Sequence, residues 1–207
     1  MYTPAAFQVV DPADVRDLVA AVGSADLITA SPRLAATRLP IIWGDDGIIR
    51  AHLARANPQW RELPEGAAAM LIIGGPQAYV SPSYYASKAE HGRVVPTWDY
   101  AIVHLHGTIR IVDDPPAVRG IVTGLTEQHE NRRRHPWRVS DAPDDYVQGM
   151  LGAIVGVEVV VTEVEASFKL SQNKSTADIA GVIDGLSASA EAQERHVAEL
   201  MIKHSRK

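Results

Sequence analysis

The chain has no cysteine among its 207 residues. That excludes a disulfide framework, an iron–sulfur cluster and cysteine-based zinc sites, and it fits a cytoplasmic protein. No apolar run approaches the length of a bilayer span, so no membrane partner is expected. The segment from Met1 to Asp14 lacks a basic stretch followed by an apolar one, so no secretory signal is expected. Positive charge is also scarce: 20 Lys and Arg stand against 25 Asp and Glu, a formal net charge of −5. A DNA-binding domain usually carries a basic face to neutralise phosphates. The only basic cluster here is Arg132-Arg133-Arg134-His135, which reads as a solvated loop. No helix-turn-helix or zinc-finger pattern is present, so DNA is not an expected partner.

Aromatic residues are few, 6% of the chain, yet five of the twelve gather between Gly74 and Tyr100. These are Tyr79, Tyr84, Tyr85, Trp98 and Tyr100, interspersed with Lys88, Glu90, His91 and Arg93. A core strand has no use for so many polar groups, nor a solvated loop for so many rings. A pocket for a planar, charged ligand needs both: flat surfaces to stack on and donors to fix the edge. A long surface loop with a few packed rings is the other reading of the same composition.

The remaining pattern gives the architecture. Asp11-Pro12-Ala13-Asp14 reads as a helix start, followed by Val15, Leu18, Val19 and Val22 at helical spacing and stopped by Gly23. The same grammar recurs at Asp114-Pro115-Pro116, then Val118, Ile121, Val122 and Leu125. It recurs again at Ala142-Pro143-Asp144-Asp145, then Val147, Met150, Leu151 and Ile154. From Ser187 a charged tail places Val197, Leu200, Met201 and His204 on one helical face and reads as a peripheral helix. Residues 1–186 are expected to form one cofactor-binding domain, and 187–207 a C-terminal helical extension.

Short apolar runs bounded by turns fill the intervals: Leu27 to Ala30, Ala35 to Trp43, Ile48 to Leu53 and Met70 to Ile73. Gly44-Asp45-Asp46-Gly47 reads as a hairpin connection. Ile102 to Val112 alternates, with Val103, Leu105, Ile109 and Ile111 on one face. Val155 to Val164 is β-branched and expected to be buried on both faces. The sum is an α+β, mainly β fold: an antiparallel barrel with peripheral helices.

Six blocks in order carry a resemblance to a known family. They are MYTPAAF at Met1, HLARANPQW at His52, GPQAYVSPSYY at Gly75, EHGRVVPTWDY at Glu90, WRVSDAPDDY at Trp137 and KLSQNK at Lys169. Over residues 1–186 the chain resembles the PaiB family, described as FMN-binding negative transcriptional regulators with a split β-barrel fold. The resemblance implies a homodimer with cofactor sites between the barrels. A branch of the same family, the piperazate synthases, uses haem b to close N-hydroxyornithine into piperazic acid through an N–N bond. Where the family has histidine in an ATHLP-like strand, this chain has Arg38. Where it has Trp-Asn-Tyr, this chain has Trp98-Asp99-Tyr100. Where it has a GKWK-like segment, this chain has Ala166-Ser167-Phe168-Lys169.

These departures favour the haem enzyme, with an FMN-binding reductase or regulator as the alternative. Arg38 offers a bidentate clamp for a carboxylate and Asp99 an acceptor for an α-ammonium. A mutual Arg38–Asp99 ion pair accounts for the same two residues without a substrate. His52 is the candidate axial ligand of haem iron, with Arg55 and Asn57 as propionate or phosphate donors. In the absence of cofactor, His52 reads as a hydrogen-bonded core histidine. His104 and His106, two apart on a strand, point the same way and supply acid–base candidates. The alternation suggests a metal pair too, but no third ligand is evident. Lys88, His91 and Arg93 are candidates for the same anionic groups, and Lys88 or a histidine for the base that keeps the attacking amine neutral. Lys169, Ser171, Gln172 and Asn173 form a run of donors for phosphate or propionate oxygens. Trp98 and Tyr100 are the stacking candidates, and Trp60 reads as core.

Overall fold

A computed structural model describes residues 1–9 and 11–205. The helices are α1 (Pro12–Val22), α2 (Ser87–His91), α3 (Pro115–Glu130), α4 (Asp144–Gly152), α5 (Thr176–Ser187) and α6 (Ala192–Ser205). The strands are β1 (Ser24–Thr29), β2 (Ala35–Pro40), β3 (Ile42–Trp43), β4 (Ile48–Ala54), β5 (Ala68–Val80), β6 (Thr97–Val112) and β7 (Ile154–Lys169). They form one seven-stranded sheet in the order β2-β1-β5-β6-β7-β4-β3. The pairs β1–β2, β1–β5, β3–β4 and β4–β7 are antiparallel. None of the described helices is long and apolar enough to cross a membrane.

Local chemistry explains where the elements begin. Asp11 accepts the Ala13 N–H at 3.0 Å at the head of α1, and Asp114 accepts the Ala117 N–H at 3.0 Å at the head of α3. Each satisfies an amide that the first helical turn leaves without a partner. The Gly44–Gly47 turn closes the β3–β4 hairpin, with Gly44 N–H donating to the Ile48 carbonyl at 3.0 Å. Gly47 there has φ +80, a conformation glycine adopts without strain.

The chain divides into two compact units. One comprises 1–15, 74–103 and 165–207. Its core holds Val80, Tyr85, Val103, Phe168, Val182, Leu186, Val197 and Met201. The tail helix α6 is therefore not peripheral: its predicted face, led by Val197 and Met201, is core. Lys203 and His204 reach Asp14 at 3.1 and 3.9 Å, which fastens the end of α6 to the start of α1. Helix α5 was not foreseen. Its signals were present, because Ser175 caps it by accepting the Asp178 N–H and Ile179, Val182, Ile183 and Leu186 repeat at helical spacing.

The other unit comprises 16–73 and 104–164. Its core is built from alternating strand residues, including Leu27, Leu39, Ile49, Leu53, Leu71, Leu105, Val157 and Val159. Val118, Ile121 and Leu125 give α3 its buried face. Gly156 lets α3 come close, since a Cβ there would lie 2.8 Å from Ile121 Cδ1. Two strand expectations are corrected. Strand β5 does not stop at Ile73 but runs through Gly74-Gly75-Pro76 to Val80, because sheet pairing overrides the turn propensity of those residues. Burial of β7 on both faces holds for Val155–Val159 only, and Val160 and Val164 are exposed.

Tyr84 packs on α5 where two glycines leave room. A Cβ at Gly181 would stand 2.1 Å from the Tyr84 carbonyl oxygen, a backbone atom with little freedom to retreat. Gly181→Ala is expected to destabilise the protein by roughly 1–3 kcal/mol through this overlap. Urea denaturation checks it; unchanged stability would show that the helix shifts freely away from Tyr84.

Candidate functional site

The sequence candidates fall into two settings, one in each unit. In the first unit the central residue is Asp99, on β6 with no solvent exposure. Its carboxylate accepts from Lys169 Nζ at 3.1 Å and from Ser171 Oγ at 2.6 Å. Lys169 also donates to Thr97 Oγ1 at 2.7 Å and to the Trp98 carbonyl, so its ammonium is fully engaged. Ser171 takes φ +59, an unusual conformation for a residue other than glycine. That backbone, in the turn after β7, accompanies the placement of its hydroxyl on the carboxylate.

Tyr85 lies in the same interior, and its hydroxyl has no hydrogen-bond partner of ordinary geometry. Burial first, then the charges of Asp99 and Asp178, push its pKa up, with the Ser171 side chain opposing. Asp178 in turn accepts from the Ser87 N–H at 2.9 Å and the Ser87 hydroxyl at 3.0 Å, which ties α5 to α2. The amide bond leads the causes that hold the Asp178 pKa below its ordinary value of 3.8.

Above this polar interior the rings are open to solvent. Trp98 is 53% exposed and Tyr79 46% exposed. They meet edge to face, with ring centroids 6.3 Å apart. Tyr100, two residues along the strand, follows Trp98 on the same face and is half-buried. Lys88, His91 and Arg93 are exposed on and after α2. Lys88 donates to Ser83 at 3.2 Å, and His91 Nδ1 accepts the Arg93 N–H at 3.0 Å. Gln172 closes its own turn, accepting from Leu170 N–H at 2.7 Å and donating to the Phe168 carbonyl. Asn173 is exposed.

In the second unit several candidates have structural employment. Arg38 clasps Asp26 in a bidentate pair, both bonds 2.8 Å, on the exposed edge strand β2. The alternative Arg38–Asp99 pair is thus replaced by two separate ones, Arg38 with Asp26 and Asp99 with Lys169. The sequence pattern makes Arg55 a candidate anion donor. Its guanidinium instead forks onto Asp113 at 2.5 and 3.1 Å and donates to the Gly152 and Ile154 carbonyls. Asn57 caps a short turn by accepting the Gln59 N–H at 2.9 Å, and its amide donates to Thr37 at 3.1 Å. Gln59 completes that network on Thr29 and Thr37, a buried cluster the sequence reading missed.

His52 sits on β4 opposite Gly156 of β7. It has no hydrogen-bond partner among the described residues, and burial pushes its imidazole below the ordinary value of 6.5. Its ring is therefore neutral near pH 7, with a nitrogen lone pair available, in place of the hydrogen-bonded core histidine. His104 and His106 do share a face, with ring centroids 6.4 Å apart. Trp60 is half-buried and donates its indole N–H to the Arg55 carbonyl at 3.1 Å.

The sheet and its flanking helices define a split β-barrel, and solved structures show the same fold. A conserved hypothetical protein from Mycobacterium tuberculosis superposes with a TM-score of 0.61 at 16% identity, covering 84% of this chain and 94% of that one. The FAD and heme binding protein from Mycobacterium smegmatis gives 0.59 at 17% identity, covering 78% and 73%. The chain belongs to the PaiB family: the family model described as "Putative FMN-binding domain" matches residues 1–163. It is similar to the protease synthase and sporulation protein PAI 2 of Bacillus subtilis, 29% identical over 97% of this chain and 96% of that protein.

The Asp178 carboxylate gives a pH test. Because its folded pKa is depressed, its contribution is complete above 3.8 and is lost as pH falls through the lower folded value. Asp178→Asn should lower stability at neutral pH, and the gap to the unsubstituted protein should narrow as pH falls below 3.8. Denaturant midpoints across that range decide the matter; a gap independent of pH would assign the effect to packing.

Proposed function

We propose that this protein binds a planar redox cofactor of the flavin class on the exposed Tyr79–Trp98 face. The carrying observation is the aromatic pair left open to solvent over a backbone held in place by Lys169. Exposed rings of this size on a rigid strand suit stacking of a flat heterocycle. Arg93 and Lys88 would meet the phosphate of FMN, since both are exposed cations on the adjoining segment. Arg55, Asn57 and Lys169 are less suited, because their donors are committed within the protein. A bound flavin would supply hydride or electron transfer. The family model and the open rings support this reading together. A homodimer, implied by the family resemblance, belongs to the same proposal, and sedimentation tests it.

A second reading rests on His52. Haem iron takes a neutral imidazole, and His52 is kept neutral by burial and lacks a protein partner among the described residues. The Mycobacterium smegmatis protein of the same fold is one that binds FAD and heme. Under this reading the activity would be the intramolecular N–N closure of N-hydroxyornithine, as in the piperazate synthases. Arg38 would serve as the carboxylate clamp only by exchanging Asp26 for substrate. Asp99 is buried on Lys169 and Ser171 and would act through position rather than by touching an ammonium.

Titration of the purified protein with FMN and, separately, with haemin tests both. Trp98→Ala should weaken FMN binding about tenfold through lost stacking. Equal affinity in the variant would remove Trp98 from the site. A Soret band that forms with haemin and shifts in His52→Ala would favour the second reading, and a band indifferent to His52 would end it.

A further inference from the structure

We propose that a cleft between α3 and the segment Arg138–Asp144 binds a small molecule through a phosphate or carboxylate group. The inference is independent of the cofactor reading, and the residues lie within the second unit. The cleft has a volume of about 440 Å³, inside the roughly 300–1,000 Å³ typical of small-ligand sites. Val139 and Ala142 are its apolar lining, and Val139 is anchored behind the cleft in a core cluster with Val118, Val147 and Leu151. Its two walls each contribute one guanidinium, Arg119 from α3 and Arg138 from the facing segment.

Neither guanidinium is used up. Arg119 gives a single bond of 3.1 Å to Asp144 on the opposite wall. Arg138 stands 3.9 Å from Glu127, beyond hydrogen-bond length. Both pairs are partly or largely exposed, so opening them costs little. A planar guanidinium fork matches a carboxylate or phosphate edge, and each wall offers one, Arg119 beside Asp144 and Arg138 beside Glu127. Thr123 and Thr126 donate their hydroxyl protons to the α3 carbonyls of Arg119 and Val122, so their lone pairs face a ligand only as acceptors. Ser140 supplies a rotatable hydroxyl on the other wall.

The approach is also favourable. Residues 131–138 lead into Arg138 and are all exposed. Among the described residues, Arg132 and Arg134 have no ion-pair partner, whereas Arg133 pairs with Glu130 at 3.0 Å. The cluster that reads in sequence as a solvated basic loop therefore raises the local positive potential beside the cleft. Glu127 and Asp144 on the walls select against bulky polyanions and for a ligand with a single oxyanion and a neutral or cationic remainder.

Calorimetric titration of the full chain with inorganic phosphate and with acetate, at ionic strength held constant by chloride, tests the proposal. The two probes separate a phosphate from a carboxylate preference. At least one should bind saturably, and Arg138→Gln should weaken it about tenfold, the loss of a charge-assisted contact. Ser140→Ala should weaken the same probe by a smaller factor, which covers the case that the arginine variant fails to fold. Arg132→Gln with Arg134→Gln should leave binding within a factor of about two, as expected for remote screened charges. No saturable binding, binding indifferent to both Arg138 and Ser140, or equal loss in the Arg132/Arg134 variant would each overturn it, the last by assigning the effect to a diffuse basic surface.

Discussion

A carboxylate removed from water must be met by charge and hydrogen bonds from the chain itself. Asp99 is such a carboxylate, and much of the first unit is arranged around it. Lys169 comes from the end of β7 and Ser171 from the turn that follows, so one buried charge joins β6 to β7 and sets the turn. The left-handed backbone of Ser171 accompanies that contact. The same charge acts on Tyr85, whose phenol is held protonated in the interior. Trp98, one residue before Asp99, inherits a fixed backbone because Lys169 also takes its carbonyl oxygen.

This arrangement alters the meaning of two departures from the family pattern. An arginine at Arg38 and an aspartate at Asp99 look, as a pair of opposite charges, like the two ends of an amino-acid site. In three dimensions each has a partner of its own: Asp26 for the arginine, Lys169 and Ser171 for the aspartate. Ion pairs within a protein use the same residue types as ligand sites. The groups that keep chemical capacity are the neutral imidazole of His52 and the open rings of Tyr79 and Trp98. Membership of the PaiB family limits the cofactor classes to consider without fixing the reaction, because function belongs to the site and not to the barrel.

Much of the fold was legible because its signals are local. The proline-led starts of α1, α3 and α4, the Gly44–Gly47 hairpin and the alternation along β6 each depend on neighbours in sequence. The continuation of β5 through Gly74-Gly75-Pro76 was not legible, since sheet pairing supplies the stabilisation there. Helix α5 carries both a cap and a period, yet it follows the donor-rich run Lys169–Asn173, whose composition equally suits a ligand loop. The burial of α6 depends on partners far away in the chain, among them Asp14.

The sequence by itself determined the family, the antiparallel split-barrel class and the chemical inventory: no thiols, a deficit of cations and a cluster of rings in one segment. These follow from composition and from spacing within elements, which a single chain displays directly. Only the tertiary structure decided which charges are spent. Arg38, Arg55, Asp99 and Lys169 are engaged by residues up to roughly a hundred positions away, and such pairings are set by packing, which cannot be read from spacing. It likewise decided that His52 stays neutral and that Trp98 stays open, because exposure is a property of the assembled sheet and helices and not of either residue.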